Sequence, residues 1–132
     1  MASVELARVS VRTGSRLRLD DVSLEVASGD FVGVVGGSGS GKTTLLRVIA
    51  GLESPTSGVI RIDGRDVTRA TPSQRDVGMV FQEPVLLRHL SVRRNVSFPL
   101  DVRRRDAADI RQRVDAEARA LHIEELLVRH PD

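Results

Sequence analysis

Eight consecutive residues hold the densest chemical content of the chain: Gly36-Gly37-Ser38-Gly39-Ser40-Gly41-Lys42-Thr43. They satisfy the spacing G-x-x-x-x-G-K-[ST] in full, the pattern of a loop that cradles phosphate. Glycines there let backbone N–H groups converge on anionic oxygens where a Cβ would stand in the way. Lys42 offers a compact positive charge to the β- and γ-phosphates, and the Thr43 hydroxyl offers a ligand to Mg²⁺. Thr44 continues into a helix whose first N–H groups and positive dipole end face the same anion. Gly36, Gly37, Ser38, Gly39, Ser40, Gly41, Lys42, Thr43 and Thr44 therefore point to ATP, or a close relative, bound with Mg²⁺.

A loop of this kind works between a strand that delivers it and a helix that receives it. Phe31-Val32-Gly33-Val34-Val35 is apolar without alternation, as expected of a strand covered on both faces of a parallel sheet. A helix from about Lys42 to Ala50 carries Leu45, Leu46, Val48 and Ile49 and is closed by Gly51. Upstream, Val4, Leu6, Val9 and Val11 alternate with polar residues, and so do Leu17 and Leu19. Val22, Leu24 and Val26 resume in shifted phase, so this stretch reads as a long hairpin with a bulge. Downstream, Val59-Ile60-Arg61-Ile62 is a short strand, and Val77-Gly78-Met79-Val80-Phe81 reads as a second buried strand. From about Ser91 the character is helical. Ile110, Val114, Ala118 and Leu121 form a stripe, with Asp109–Arg113 and Asp115–Arg119 as supporting pairs one turn apart.

Bulk composition narrows the function classes. Hydrophobic residues make up 40% and charged residues 29% of the 132, as in an ordinary globular domain. Of the 20 cationic side chains only Lys42 is a lysine, and it falls where a point charge on a thin stem suits phosphate. A net charge of +2 is a weak footprint for nucleic acid, and three phenylalanines as the only aromatics argue against base stacking. No nucleic-acid partner is expected. The absence of cysteine points to a cytoplasmic address without disulfides. His89, His122 and His130 are lone and widely spaced, and the Arg93-Arg94 and Arg103-Arg104-Arg105 runs read as solvated helical faces.

The strand, the Gly36–Thr43 loop and Thr44-Leu45-Leu46-Arg47-Val48-Ile49-Ala50-Gly51-Leu52 resemble the opening of an ABC-transporter ATP-binding subunit. So do Pro55-Thr56-Ser57-Gly58, Asp63-Gly64 and Gly78-Met79-Val80-Phe81-Gln82, and the resemblance runs from residue 4 to residue 132. The order of Gln82, Leu90-Ser91-Val92, Asn95-Val96 and the later helices is most similar to importers of sugars, polyamines and anions. The resemblance implies an α/β fold. It comprises a partial P-loop NTPase core, an N-terminal antiparallel β-subdomain and the start of a helical subdomain. The whole is one partial nucleotide-binding domain over 1–132, with the β-rich core at about 1–88 and the helical part at about 89–132, the boundary lying near 84–90.

The same resemblance implies ATP hydrolysis driving transport, by a subunit that dimerises and binds transmembrane permease subunits on the inner membrane face. Gln82 matches the family's Q-loop glutamine, a catalytic partner of Lys42 and a second Mg²⁺ ligand beside Thr43. Glu83 to about Pro99 corresponds to the surface that receives a coupling helix. Two departures stand out. No aromatic lies near Arg12-Thr13 to stack on adenine, so the base is expected either to meet the Arg12 or Arg16 guanidinium plane or to be held only weakly. Nothing matches the signature sequence, the Walker B carboxylate with its glutamate, or the switch histidine. The 132 residues are thus expected to match only the N-terminal part of such a subunit, ending just before the signature, and to bind ATP without turnover on their own. Other readings of the residues are a different P-loop enzyme, such as a small kinase, and a nucleotide-binding fragment that does not hydrolyse.

Overall fold

The computed structural model describes residues 2–83 and 85–131. Met1, Pro84 and Asp132 lie outside it. The two ends of the expected 1–132 domain and one residue of the expected partner surface therefore fall outside the described residues. The chain divides into two compact units, Met1–Val80 and Phe81–Asp132.

In the first unit β1 (Val4–Thr13) and β2 (Arg16–Val26) form the expected hairpin. β3 (Ser57–Ile62) and β4 (Arg65–Asp66) complete an antiparallel sheet of order β2-β1-β3-β4. The phase shift in the sequence is a real irregularity. Pairing slips between Leu6 and Val9 and again before Val11, with Arg8 at φ 49° and Asp21 at φ 48°. The amides freed by the slip stay satisfied: Arg8 N–H donates to Ser23 Oγ and Asp21 N–H to Ser10 Oγ, each at 3.0 Å. Leu6, Val9, Val11, Leu19, Ile60 and Ile62 turn inward and meet Leu45 and Val48 of α1 (Lys42–Ala50), one continuous apolar core.

Two expected strands do not form. Residues 31–35 and 77–81 have no strand pairing, Phe31 is fully exposed, and Val35 and Val80 are nearly so. A parallel strand exists through the ladders on its flanks, and among the described residues no strand runs beside either segment. Their apolar runs record a capacity to pair that this chain does not use by itself.

α2 (Pro72–Arg75) is a single turn started by a capping box, Thr71 with Gln74. The second unit holds α3 (Val92–Val102), α4 (Ala107–Ala120) and a 3₁₀ turn at Glu124–Leu126. Val114, Ala118 and Leu127 are its buried apolar residues, with Val92, Ile110 and Ile123 packed against them. Leu121, expected in the stripe, is instead mostly exposed, because α4 ends at Ala120 and Leu127 from the following turn fills the place. Asp109 and Arg113 pair at 2.8 Å as expected. The carboxylate of Asp115 does not pair with Arg119. It binds Arg93 of α3 at 2.8 Å, while Arg119 Nε donates to the Asp115 carbonyl. Among the described residues no helix is long and apolar enough to cross a membrane.

Candidate nucleotide-binding site

The phosphate loop leaves the β-sheet after β2 and delivers its last glycine to the start of α1. Gly41 is the N-cap residue, at φ 97°, in the left-handed region. A Cβ at Gly41 would stand 2.7 Å from the Arg18 carbonyl oxygen and 2.9 Å from Leu19 Cδ2. Only glycine meets both the conformation and the close approach of β2. No side chain caps α1, and its first turn carries no acidic residue. Its opening N–H groups are thus free of the side-chain acceptor that usually competes for them.

Lys42 folds back over the loop. Its ammonium donates to the Gly36 carbonyl at 2.8 Å and the Gly37 carbonyl at 2.7 Å, and lies 3.4 Å from Ser40 Oγ. The Ser40 N–H closes a turn onto the Gly37 carbonyl at 3.3 Å. These bonds hold the positive charge inside the ring of loop residues. Thr43 is exposed, so its hydroxyl is open to a metal ion, whereas Thr44 is buried and anchors the helix start. A hollow of about 130 Å³ runs along Gly39, Ser40, Gly41, Lys42, Thr43 and Thr44 and is completed by Arg18 of β2. The donor set fits an anionic phosphate chain with its Mg²⁺: an ammonium, uncapped helix N–H groups and an exposed hydroxyl. A larger hollow, about 520 Å³, lies beside the β1 bulge at Arg8, Asp21 and Arg61. It has no such convergence, and the Arg61 guanidinium there is committed to Glu5 at 2.8 Å.

The other end of α1 is tied as firmly. Gly51, at φ 79°, ends the helix with its N–H on the Val48 carbonyl, and Leu52 N–H reaches the Arg47 carbonyl. Arg75 then threads its buried guanidinium beneath that end. It donates to the carbonyls of Val48 and Ile49 at 2.7 and 3.0 Å, and to those of Ala70 and Thr68 at 3.0 and 3.2 Å. A positive charge at the C-terminal end of α1 complements its dipole. Burial pushes the Arg75 guanidinium below its ordinary pKa. Neither Arg18 nor Arg75 stands out in the sequence. Arg75 follows the capping-box spacing Thr71–Gln74, the one local sign that a turn would aim it.

Gln82 lies in the second unit, exposed in a bend. Past Pro84, the loop before α3 is held by Asn95. Its carbonyl accepts from Leu87 N–H at 2.8 Å, and its amide nitrogen donates to the carbonyls of Leu87, Leu90 and Ser91. Ser91 caps α3 by accepting from Arg94 N–H. Arg12 and Arg16 sit at the closed end of the hairpin, where Arg12 pairs with Leu17 and Thr13 with Arg16, and neither lines the hollow at the phosphate loop.

The model of the ABC transporter family matches residues 19–131. The sulfate/thiosulfate import ATP-binding protein CysA of Nocardia farcinica is 51% identical over 102 residues, covering 77% of this chain and 31% of that protein. The sn-glycerol-3-phosphate import ATP-binding protein UgpC of Brucella abortus is 45% identical over 132 residues, covering 99% of this chain and 38% of that protein. The chain thus spans about a third of the length of these relatives. Among solved structures, the ATP-binding cassette MJ0796, a dimer in a post-hydrolysis state bound to ADP and Pi, superposes with a TM-score of 0.83. That match is at 29% identity and covers 97% of this chain and 61% of that one. The sheet, phosphate loop and helices are therefore part of an α/β P-loop ATPase core. The chain belongs to the ABC transporter family.

Proposed function

We propose that this chain binds Mg·ATP and forms the nucleotide-binding part of a subunit that energises import of a solute across a membrane. The observation that carries the proposal is the placement of Lys42. Its ammonium is fixed on the Gly36 and Gly37 carbonyls at the mouth of an uncapped helix N-terminus, where a triphosphate would meet it. Gly36 to Thr44 hold the phosphates through backbone N–H groups, Lys42 neutralises the β- and γ-phosphates, and Thr43 ligates the metal. When bound, Mg²⁺ supplies positive charge that offsets the charge developing on the phosphate oxygens.

In this reading the two units are the β-rich and helical subdomains of one nucleotide-binding domain. Gln82 is a second Mg²⁺ ligand and catalytic group that senses the γ-phosphate. Residues from Glu83 to about Pro99 take the coupling helix of a permease on the cytoplasmic face. The names of similar proteins, importers of sulfate/thiosulfate and of sn-glycerol-3-phosphate, favour an anionic solute. The dimeric ATP-binding cassette favours a two-subunit assembly. Turnover also needs a water-positioning carboxylate, and no residue of this chain is assigned that role.

A titration of ATP against the 132-residue chain tests the reading, with Lys42→Ala and Gln82→Ala beside it. Lys42→Ala should weaken binding by about a hundredfold, the loss of a charge-assisted bond to two phosphates. Gln82→Ala should leave affinity within about threefold and, in the assembled transporter, depress transport. Unchanged affinity in a folded Lys42→Ala variant would remove the site. Lost affinity with intact transport in Gln82→Ala would make Gln82 a plain ligand.

A further inference from the structure

Arg18 is a cation at the edge of the cradle with nothing assigned to it. It lines the hollow formed by Gly39 to Thr44. Its main chain cannot drift away, because its carbonyl oxygen packs against Gly41 and the adjacent Leu19 is buried in the core. Arg18 itself is exposed, and among the described residues its guanidinium has no hydrogen bond or ion pair. The fold thus fixes the base of a long cationic side chain beside an anion cradle and leaves its head uncommitted.

The two cations divide the loop between them. Lys42 is drawn to the Gly36–Gly37 limb by the two carbonyls it binds. Arg18 borders the opposite limb, where Gly41, Lys42, Thr43 and Thr44 open α1. A triphosphate whose β- and γ-phosphates lie under Lys42 presents its nucleoside-proximal phosphate to that second limb. We propose that Arg18 is a nucleotide-binding residue, its guanidinium pairing with an oxygen of the α-phosphate. The proposal rests on the reading of Gly36–Thr44 as an ATP cradle. A guanidinium suits this place because it binds phosphate through two parallel N–H groups and is weakly hydrated, so it gives up water readily.

The test is a titration of the 132-residue chain with ATP, ADP and GTP at low and high salt, using Arg18→Gln, Arg18→Lys and Lys42→Ala. Arg18→Gln keeps much of the length and the polarity while removing the charge, at an exposed strand position where folding is not at stake. It should lose about tenfold in affinity for ATP and ADP alike, since both carry the α-phosphate. Arg18→Lys should recover most of that loss, and the gap between the native chain and Arg18→Gln should narrow as salt screens the pair. Affinity unchanged in Arg18→Gln but lost in Lys42→Ala would overturn the role of Arg18 and leave the cradle standing. A changed ratio of ATP to GTP affinity, without rescue by lysine, would also overturn it, placing the guanidinium on the base. Affinity unchanged in Lys42→Ala as well would remove the cradle, and this proposal with it.

Discussion

Among single residues, Gly41 carries two separate demands for glycine: its φ of 97°, and the Arg18 carbonyl oxygen that would lie 2.7 Å from a Cβ. Gly41→Ala should therefore weaken ATP binding by about tenfold or more and cost about 1–3 kcal/mol of stability, the usual range for a strained φ. Calorimetric titration together with thermal unfolding measures both. A stable variant with native affinity would mean that the loop adapts freely. The second demand also separates what is legible in the sequence from what is not. Glycine, lysine and threonine at fixed intervals need no tertiary knowledge to be read as an anion cradle. Arg18 has no such signature. Its place depends on β2 running against Gly41, a proximity between positions far apart in the chain.

At the scale of elements, the ends of the helices are held by contacts that no periodicity encodes. Four backbone carbonyls from two segments converge on the Arg75 guanidinium. Removing it leaves buried acceptors unpaired at about 1–3 kcal/mol for each that water cannot reach. Arg75→Met should therefore lower stability by about 3 kcal/mol, read as a lower denaturant midpoint at unchanged slope. Gly51→Ala should act on the same joint, since its Cβ would stand 2.7 Å from Arg75 Nε. If Arg75→Met unfolded at the native midpoint, water would be satisfying those carbonyls. The Asp115 carboxylate is a second case. It lies one turn from Arg119 and nevertheless chooses Arg93, because a tertiary partner on α3 competes with a local one. By contrast, α1 and the β1–β2 hairpin stand where apolar spacing and turn residues put them, and even the phase slip in β2 is readable as a bulge.

At the scale of the whole molecule, the antiparallel sheet is legible and the fate of the two runs expected as buried strands is not. Phe31–Val35 and Val77–Phe81 have the composition of covered strands, yet coverage is a property of neighbours and not of composition. The order β2-β1-β3-β4 carries a different message, about time. β1 is flanked by the strand that follows it after a tight turn and by β3, which returns only after residues 27–56 have been traversed. The hairpin can close on the microsecond scale of local contacts. β3 must close a loop of about 30 residues, at an entropic cost of about 3 kcal/mol before its contacts form. That loop is the phosphate cradle with its helix, and the core beneath α1 is incomplete until Ile60 and Ile62 arrive. During refolding, then, strand signal in circular dichroism should rise first, and capture of a fluorescent ATP analogue should follow with the slower phase. Capture that kept pace with the earliest signal would show that the cradle assembles before the sheet closes behind it. The molecule gains its strands early and its ligand late, because the site lies inside the longest detour that the sheet has to close.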